Sequence, residues 1–396
     1  MMRRRDLLAS AAALPISGGA FARDTRSPIS VPGDDFMISL PGLMEVAGVP
    51  GIAIGLAARG RTIWQAHVGT VDKNGAAVGA TTIWKAASLS KQFSCYAALR
   101  LVDTGALDLD RPLAFYLGED ALPDAAARRI TARHALTHSS GLPNWRQTRE
   151  IVPAFAPGSQ FRYSGEGYFL LARCIEKITG TGFEAYMQNA VFEPLGMNSS
   201  TFLWRPDLPE RLAPGHHWEG TAWDDASWRD RLHARIAIGD LPVSQWTLDR
   251  VAAAMTPVSG TDKGVSPLPG AIYYPNPAMS LMTTIADYVR IVVRFTTSFG
   301  DGLDLSPRLR ALAARPLVRV NRAISWGLGW GNEMADGVAY LFQNGSLAGA
   351  CTSFCLLHPP SETAMVVFTN HINGPRIIDR ILRAATGREH PVFLWA

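Results

Sequence analysis

The strongest constraint on how this 396-residue chain folds is that its β-rich segments lie at its two ends, with a long helical stretch between them. Near the N-terminus, Gly51–Ala58 and residues 62–68 are apolar, β-prone runs joined by the turn Arg59-Gly60-Arg61, a pattern that predicts an antiparallel hairpin. Three more such runs, 338–342, 351–357 and 364–369, follow in the C-terminal part, separated by Gly/Ser and Pro/Ser turns, and 375–385 reads as a closing helix. One sheet built from both ends obliges the intervening residues to leave it and return. The expected fold is therefore α/β of the α+β kind, an antiparallel sheet flanked by terminal helices with a helical lobe inserted. Its sheet lobe covers about 36–80 and 320–390, and its helical lobe about 81–319, within one domain of 36–390.

From Ser88 the periodicity becomes helical, with Phe93, Tyr96, Ala97, Leu99, Leu101 and Val102 giving a largely buried helix that stops at Gly105. Further helices are expected at 132–137 and 167–178, the second closed by Thr179-Gly180. Residues 204–275 are rich in Trp, His, Asp and Pro without a clear period, so they read as loops and short helices over one rim. An apolar fraction of 47% with 18% charged residues is that of a chain able to bury a core. The formal charge of +4 is small for this length, so nucleic acid is not an expected partner.

The first 22 residues have a basic head, a modestly apolar middle and the small-residue pattern Ala20-Phe21-Ala22, which reads as a cleavable signal peptide followed by a leader over 23–35. Arg4-Arg5 before a weakly apolar, Ala-rich stretch resembles the twin-arginine type. Pro15, Gly18 and Gly19 interrupt the apolar run well short of the roughly 20 residues needed to span a bilayer. A periplasmic or secreted protein with no membrane anchor in its mature form is the expectation. In that oxidising setting Cys95, Cys174, Cys351 and Cys355 have partners available, but each lies in an apolar run of a large core, and they read as buried free thiols.

Ser88 and Lys91 stand three residues apart where the buried helix starts, which puts their side chains on one face. A serine hydroxyl needs a neighbouring base to become a nucleophile, and a partly desolvated lysine is such a base. The pair alone reads more readily as a helix cap beside a solvated lysine.

Several segments in order carry a more specific signal: IWKAASLSKQFSCYAALRLVDTGALDLDRPL from Ile83, ITARHALTHSSGLP from Ile130, APGSQFRYSGEGYFLLARCIEKITG from Ala156, FEPLGM from Phe192, SWGLGW from Ser325 and NGSLAG from Asn344. Together, between about Val46 and Asn373, they resemble the serine β-lactamase and penicillin-binding family. The likeness is to its class C-like branch, which also holds esterases, D-aminopeptidases and D-alanyl-D-alanine carboxypeptidases. The resemblance implies a cofactor-free acyl-enzyme mechanism on Ser88, with Lys91 as base. It places Tyr163 at the tyrosine of the family's Tyr-x-Asn element, a candidate to shuttle the proton. Gly165 stands where that element has Asn, so no side chain is offered to a substrate's acyl amide. The family's Lys-Thr-Gly or His-Thr-Gly element falls on Gln343-Asn344-Gly345, where the cation is replaced by a neutral amide. The backbone amides of Ser88 and Ser346 are then the implied oxyanion hole, with Gly345 allowing close approach. Gln343 and Asn344 read equally as turn residues after a strand.

A small ester, amide or peptide-like molecule is the expected partner, and the missing cation favours neutral substrates over carboxylates. The alternatives are a D-alanyl-D-alanine carboxypeptidase or β-lactamase, and a non-catalytic homologue that binds acyl ligands. His134 and His138 have the i, i+4 spacing of a helical metal pair but lack a third ligand, so no metal is expected. His216-His217 reads as rim packing, and Asp108 and Asp110 as turn and capping groups.

Overall fold

Strand β1 (Gly51–Ala58) is buried along seven of its eight residues, with Ala53 and Ala57 packed on one face of a sheet and Ile52, Ile54 and Leu56 on the other. Burial on both faces is why the strand reads as a continuous apolar run rather than an alternating one. The computed structural model describes residues 27–72, 75–145, 150–205, 207–216, 222, 245–250, 275–347 and 351–395. The signal-peptide reading and most of 204–275, with His217, Trp218, Trp223 and Trp228, lie outside these.

β1 pairs with β2 (Arg61–Gly69) through the expected hairpin and with the C-terminal strand β10 (Thr363–Thr369) on its other edge. Between them in the chain come a short ladder of β3 (Trp84–Lys85) with β4 (Met282–Thr283), then β5 (Val318–Arg319), β6 (Ile324–Trp326), β7 (Gly331–Ala335), β8 (Val338–Leu347) and β9 (Cys351–His358). Except for the β3/β4 ladder, these complete one antiparallel eight-stranded sheet in the order β2, β1, β10, β9, β8, β7, β6, β5. Both chain ends thus contribute neighbouring central strands.

Two helices cover one face of the sheet: α1 (Asp34–Ala47) and, near the other terminus, α9 (Gly374–Thr386), whose Ile377, Ile378, Ile381 and Leu382 are buried. Each such side chain contributes on the order of 1.5–3 kcal/mol on leaving water. The opposite face receives the helical region: α2 (Lys91–Asp103), α3 (Ala114–Leu117), α4 (Ala132–Leu136), α5 (Gly165–Thr179), α6 (Phe183–Met187), α7 (Ile285–Val292) and α8 (Pro307–Ala313). A last short helix, α10 (Val392–Trp395), closes the described chain. Among the described residues no helix is long and apolar enough to cross a membrane, and all four cysteines are buried and free.

One local expectation needs correction. Gln343 and Asn344 are not turn residues; with Gly345 and Ser346 they lie within β8, paired with Cys355, Phe354, Ser353 and Thr352 of β9. Tertiary pairing overrides their weak strand preference. His134 and His138 do not share a helix, because α4 ends at Leu136 and His138 adopts left-handed backbone at φ +53°. His134 instead completes a capping box with Thr131.

Candidate active site

The buried helix starts three residues later than the sequence suggests. Ser88 sits in a 3₁₀ turn, Ala87–Ser90, that runs into α2 at Lys91. Ala87 is held at φ +51°, a conformation that costs a non-glycine residue on the order of 1–3 kcal/mol. Its neighbours over-determine that turn. The Ala86 amide donates to Leu281 O at 2.8 Å, Ser353 Oγ donates to Ala86 O at 2.8 Å, and Ser90 Oγ donates to Ala87 O at 2.6 Å. Ser88 is left half-buried at the junction of sheet and helices, while Leu89 and Ser90 are buried.

Lys91 lies one turn further, only 1% exposed, and its ammonium donates to Ser88 Oγ at 3.1 Å and to Ala278 O at 2.9 Å. Burial holds the ammonium below its usual range, an effect that the adjacent Tyr163 phenol partly offsets. The lysine's second acceptor comes from residues 276–281, which carry no sequence signal of a site. Asn276 Oδ1 accepts from the Ala278 amide, Ser94 donates to Pro277 O, and Ser90 Oγ accepts from the Leu281 amide. Their contribution is mostly backbone carbonyl, invisible in side-chain patterns.

Tyr163 precedes α5, whose N-cap Ser164 accepts from the Gly167 amide. Its ring centroid is 4.8 Å from Lys91 Nζ, so three distant stretches converge at one point. Gln343 reaches the same phenol from β8: fully buried, its Nε2 donates to Tyr163 Oη at 3.1 Å and to Asn344 O at 2.7 Å. A carbonyl accepts only, so the nitrogen must be the atom facing Asn344, which fixes the amide orientation and makes the tyrosine oxygen an acceptor from Gln343. The phenolic proton therefore points elsewhere.

Gly345 lies where β8 passes the Ser88 turn. A Cβ there would collide with Ser353 Oγ and stand 2.9 Å from Ala86 O and 3.1 Å from the Ser88 nitrogen. Only glycine permits that approach. Ser346, next along β8, is exposed. At Gly165 a Cβ would sit 2.6 Å and 2.7 Å from the Trp145 indole, so the space of the family's Asn side chain is filled by another segment's aromatic ring. Asn144 secures that segment, its Oδ1 and its carbonyl both accepting from the Gly165 amide at 2.9 and 3.0 Å.

The residues read as structural are placed as follows. Asp108 Oδ1 accepts from the Asp110 amide in a turn, and Asp110 also forms a bidentate pair with Arg133 at 2.6 and 2.7 Å. His216 is buried, its backbone bridging to His371 and its Nδ1 3.1 Å from Asn370 O.

The chain is similar to several known proteins. A penicillin-binding protein of Bacillus subtilis (strain 168) is 30% identical over 165 residues, which are 36% of this chain and 35% of that one. Esterase EstB of Burkholderia gladioli is 29% identical over 198 residues, 42% of this chain and 50% of the esterase. The chain thus spans half or less of the length of these curated relatives. In fold it is similar to a class C beta-lactamase, with a TM-score of 0.65 at 17% identity over 89% of this chain and 94% of that structure. Residues 40–388 match the profile of the Beta-lactamase family, and the chain belongs to that family.

Proposed function

We propose that the protein is an exported serine hydrolase that forms an acyl-enzyme on Ser88 and acts on neutral esters or amides. The observation that carries the reading is the buried Lys91 ammonium hydrogen-bonded to the half-buried Ser88 hydroxyl, with the Tyr163 phenol alongside. In its free-amine form, favoured by burial, Lys91 accepts the Ser88 proton as Oγ attacks the carbonyl carbon. The Ser88 and Ser346 amides stabilise the oxyanion. Tyr163, its oxygen held by Gln343, passes its proton to the departing alkoxide or amine and regains one from the Lys91 ammonium; in the second step the same groups take a proton from the water that attacks the acyl carbonyl and return one to Ser88 Oγ as the ester bond breaks.

The substrate class follows from Gln343 and Gly165. A buried neutral amide stands where a cation would pair with a substrate carboxylate, and no side chain projects at Gly165 toward an acyl amide. Esterase EstB, a relative by sequence, carries an esterase's name. The relatives named penicillin-binding protein and beta-lactamase support the second reading, a D-alanyl-D-alanine carboxypeptidase or β-lactamase. Export, to the periplasm or beyond the cell, rests on the basic head, apolar middle and Ala20-Phe21-Ala22 of the first 22 residues, with Arg4-Arg5 suiting the twin-arginine route.

The test is labelling by a fluorophosphonate and by a fluorescent penicillin, with and without Ser88→Ala, alongside turnover of p-nitrophenyl acetate. Fluorophosphonate labelling that vanishes in the variant, together with ester turnover, supports the proposal. Labelling by penicillin alone moves the assignment to the second reading, and no labelling leaves an acyl-ligand binder.

A further inference from the structure

His138 is wholly buried beside the proposed proton shuttle and takes no part in the chemistry proposed above. It nevertheless holds three consecutive residues at once. Its carbonyl accepts from the Arg162 amide at 2.7 Å, its Nδ1 accepts from the Ser164 amide at 3.0 Å, and its ring lies against Tyr163 with centroids 4.1 Å apart and planes 31° apart. Trp326 packs edge-on against both rings, at 5.0 Å from His138 and 5.8 Å from Tyr163. Because Nδ1 accepts from an amide, the neutral ring carries its proton on Nε2.

We infer that His138 is a positioning residue for Tyr163: its carbonyl and Nδ1 clamp the backbone on either side of the tyrosine while its ring fixes the plane of the phenol. This rests on the reading of Tyr163 as the proton shuttle. The left-handed backbone at φ +53° is what turns carbonyl and ring toward the same stretch, and histidine tolerates that conformation better than most residues. Few side chains combine a flat ring with an acceptor at this reach. Phenylalanine supplies the ring without the acceptor, and asparagine the acceptor without the ring. Burial, reinforced by the Lys91 charge, holds the imidazole well below its usual range, so it stays neutral and adds no charge beside the ammonium.

The test is a double-mutant cycle with a neutral p-nitrophenyl ester, using His138→Asn, His138→Phe, Tyr163→Phe and the two combinations, with kcat counted per Ser88 labelled by exhaustive fluorophosphonate treatment. Misplacement of the phenol by a fraction of an ångström is expected to lower kcat on the order of 10- to 100-fold in each single His138 variant. KM should stay within about two-fold and the pH limb in place, since no titrating group of the reaction is removed. In the Tyr163→Phe background the same substitutions should cost almost nothing more. Equal losses in both backgrounds, or unchanged kcat in a His138 variant with a native circular dichroism spectrum, overturn the inference. If Tyr163→Phe by itself leaves kcat intact, the shuttle assignment is what fails.

Discussion

The Gln343 carboxamide donates to the Tyr163 phenolic oxygen across 3.1 Å, tying the β8 edge of the cleft to the loop before α5. The same nitrogen donates to Asn344 O, so both of its hydrogens are spent within the protein. In the proposed mechanism the neutral donor takes the cation's place beside the phenol, without attracting a substrate carboxylate.

Replacing that donor separates the two roles. Gln343→Glu puts acceptor oxygens against Asn344 O and Tyr163 Oη, and kcat/KM for a neutral ester should fall at least about tenfold, the worth of one lost charge-stabilising bond. Gln343→Lys restores a cation with two acceptors waiting. The ratio of kcat/KM for a carboxylate-bearing substrate to that for a neutral ester should then rise on the order of tenfold. A ratio unchanged in a folded lysine variant removes Gln343 from the account of substrate class.

Lys91 sets the direction of the pH dependence. Its ammonium is held below the ordinary 10.5 by burial, and the proposed base is its free amine. Activity toward a neutral ester should therefore rise with pH along a limb centred below 10.5, the apparent value belonging to Lys91 and Tyr163 as a coupled pair. Between the folded and unfolded values the unfolded chain binds more protons, so this group makes stability increase as pH rises through the same window. Lys91→Arg, permanently charged, should lower kcat by roughly 10²- to 10⁴-fold and abolish the limb. A limb that survives in the arginine variant assigns it to another group.

How much of this was legible in the sequence differs from one residue to the next. Ser88 and Lys91 could be read because a spacing of three is local, and Tyr163 and Gly345 because ordered motifs resemble a known family. Strands β5 and β6 could not, since runs of two and three residues fall below the length at which alternation is visible. The Lys91 cradle at 276–281 was hidden because its working atoms are mostly main-chain. The packing of His138 against Tyr163 carries no local signal, because its left-handed turn depends on tertiary contacts with 162–164.

The Trp145 ring over Gly165 makes a pair of substitutions informative. Gly165→Asn builds a Cβ within 2.7 Å of the indole and 2.9 Å from Asn144 O. Overpacking of that kind costs typically about 1–3 kcal/mol, so the thermal midpoint should fall. Adding Trp145→Ala clears the indole, and the double variant should recover most of the loss while gaining turnover of amide relative to ester substrates. If Trp145→Ala and Gly165→Asn are simply additive in stability, the indole does not occupy the space as described.

Glu176 on α5 offers a test of stability away from the chemistry. Buried between helix and chain, its Oε1 accepts from the Phe183 amide at 2.7 Å and its Oε2 from the Leu248 amide at 2.9 Å. Burial pushes its carboxyl up from 4.5 to about 7, against the pull of those amides. A carboxyl whose folded value is raised takes up its proton in the folded state first. As pH falls from about 7 toward 4.5 this group therefore adds stability, by roughly 2–3 kcal/mol over the window. Glu176→Gln cannot titrate, so the stability difference between wild type and variant in urea unfolding should shift toward the wild type as pH is lowered through that range. A difference that stays flat from 7 to 4.5 means the carboxyl is ionised in the fold throughout, with the two amides outweighing burial.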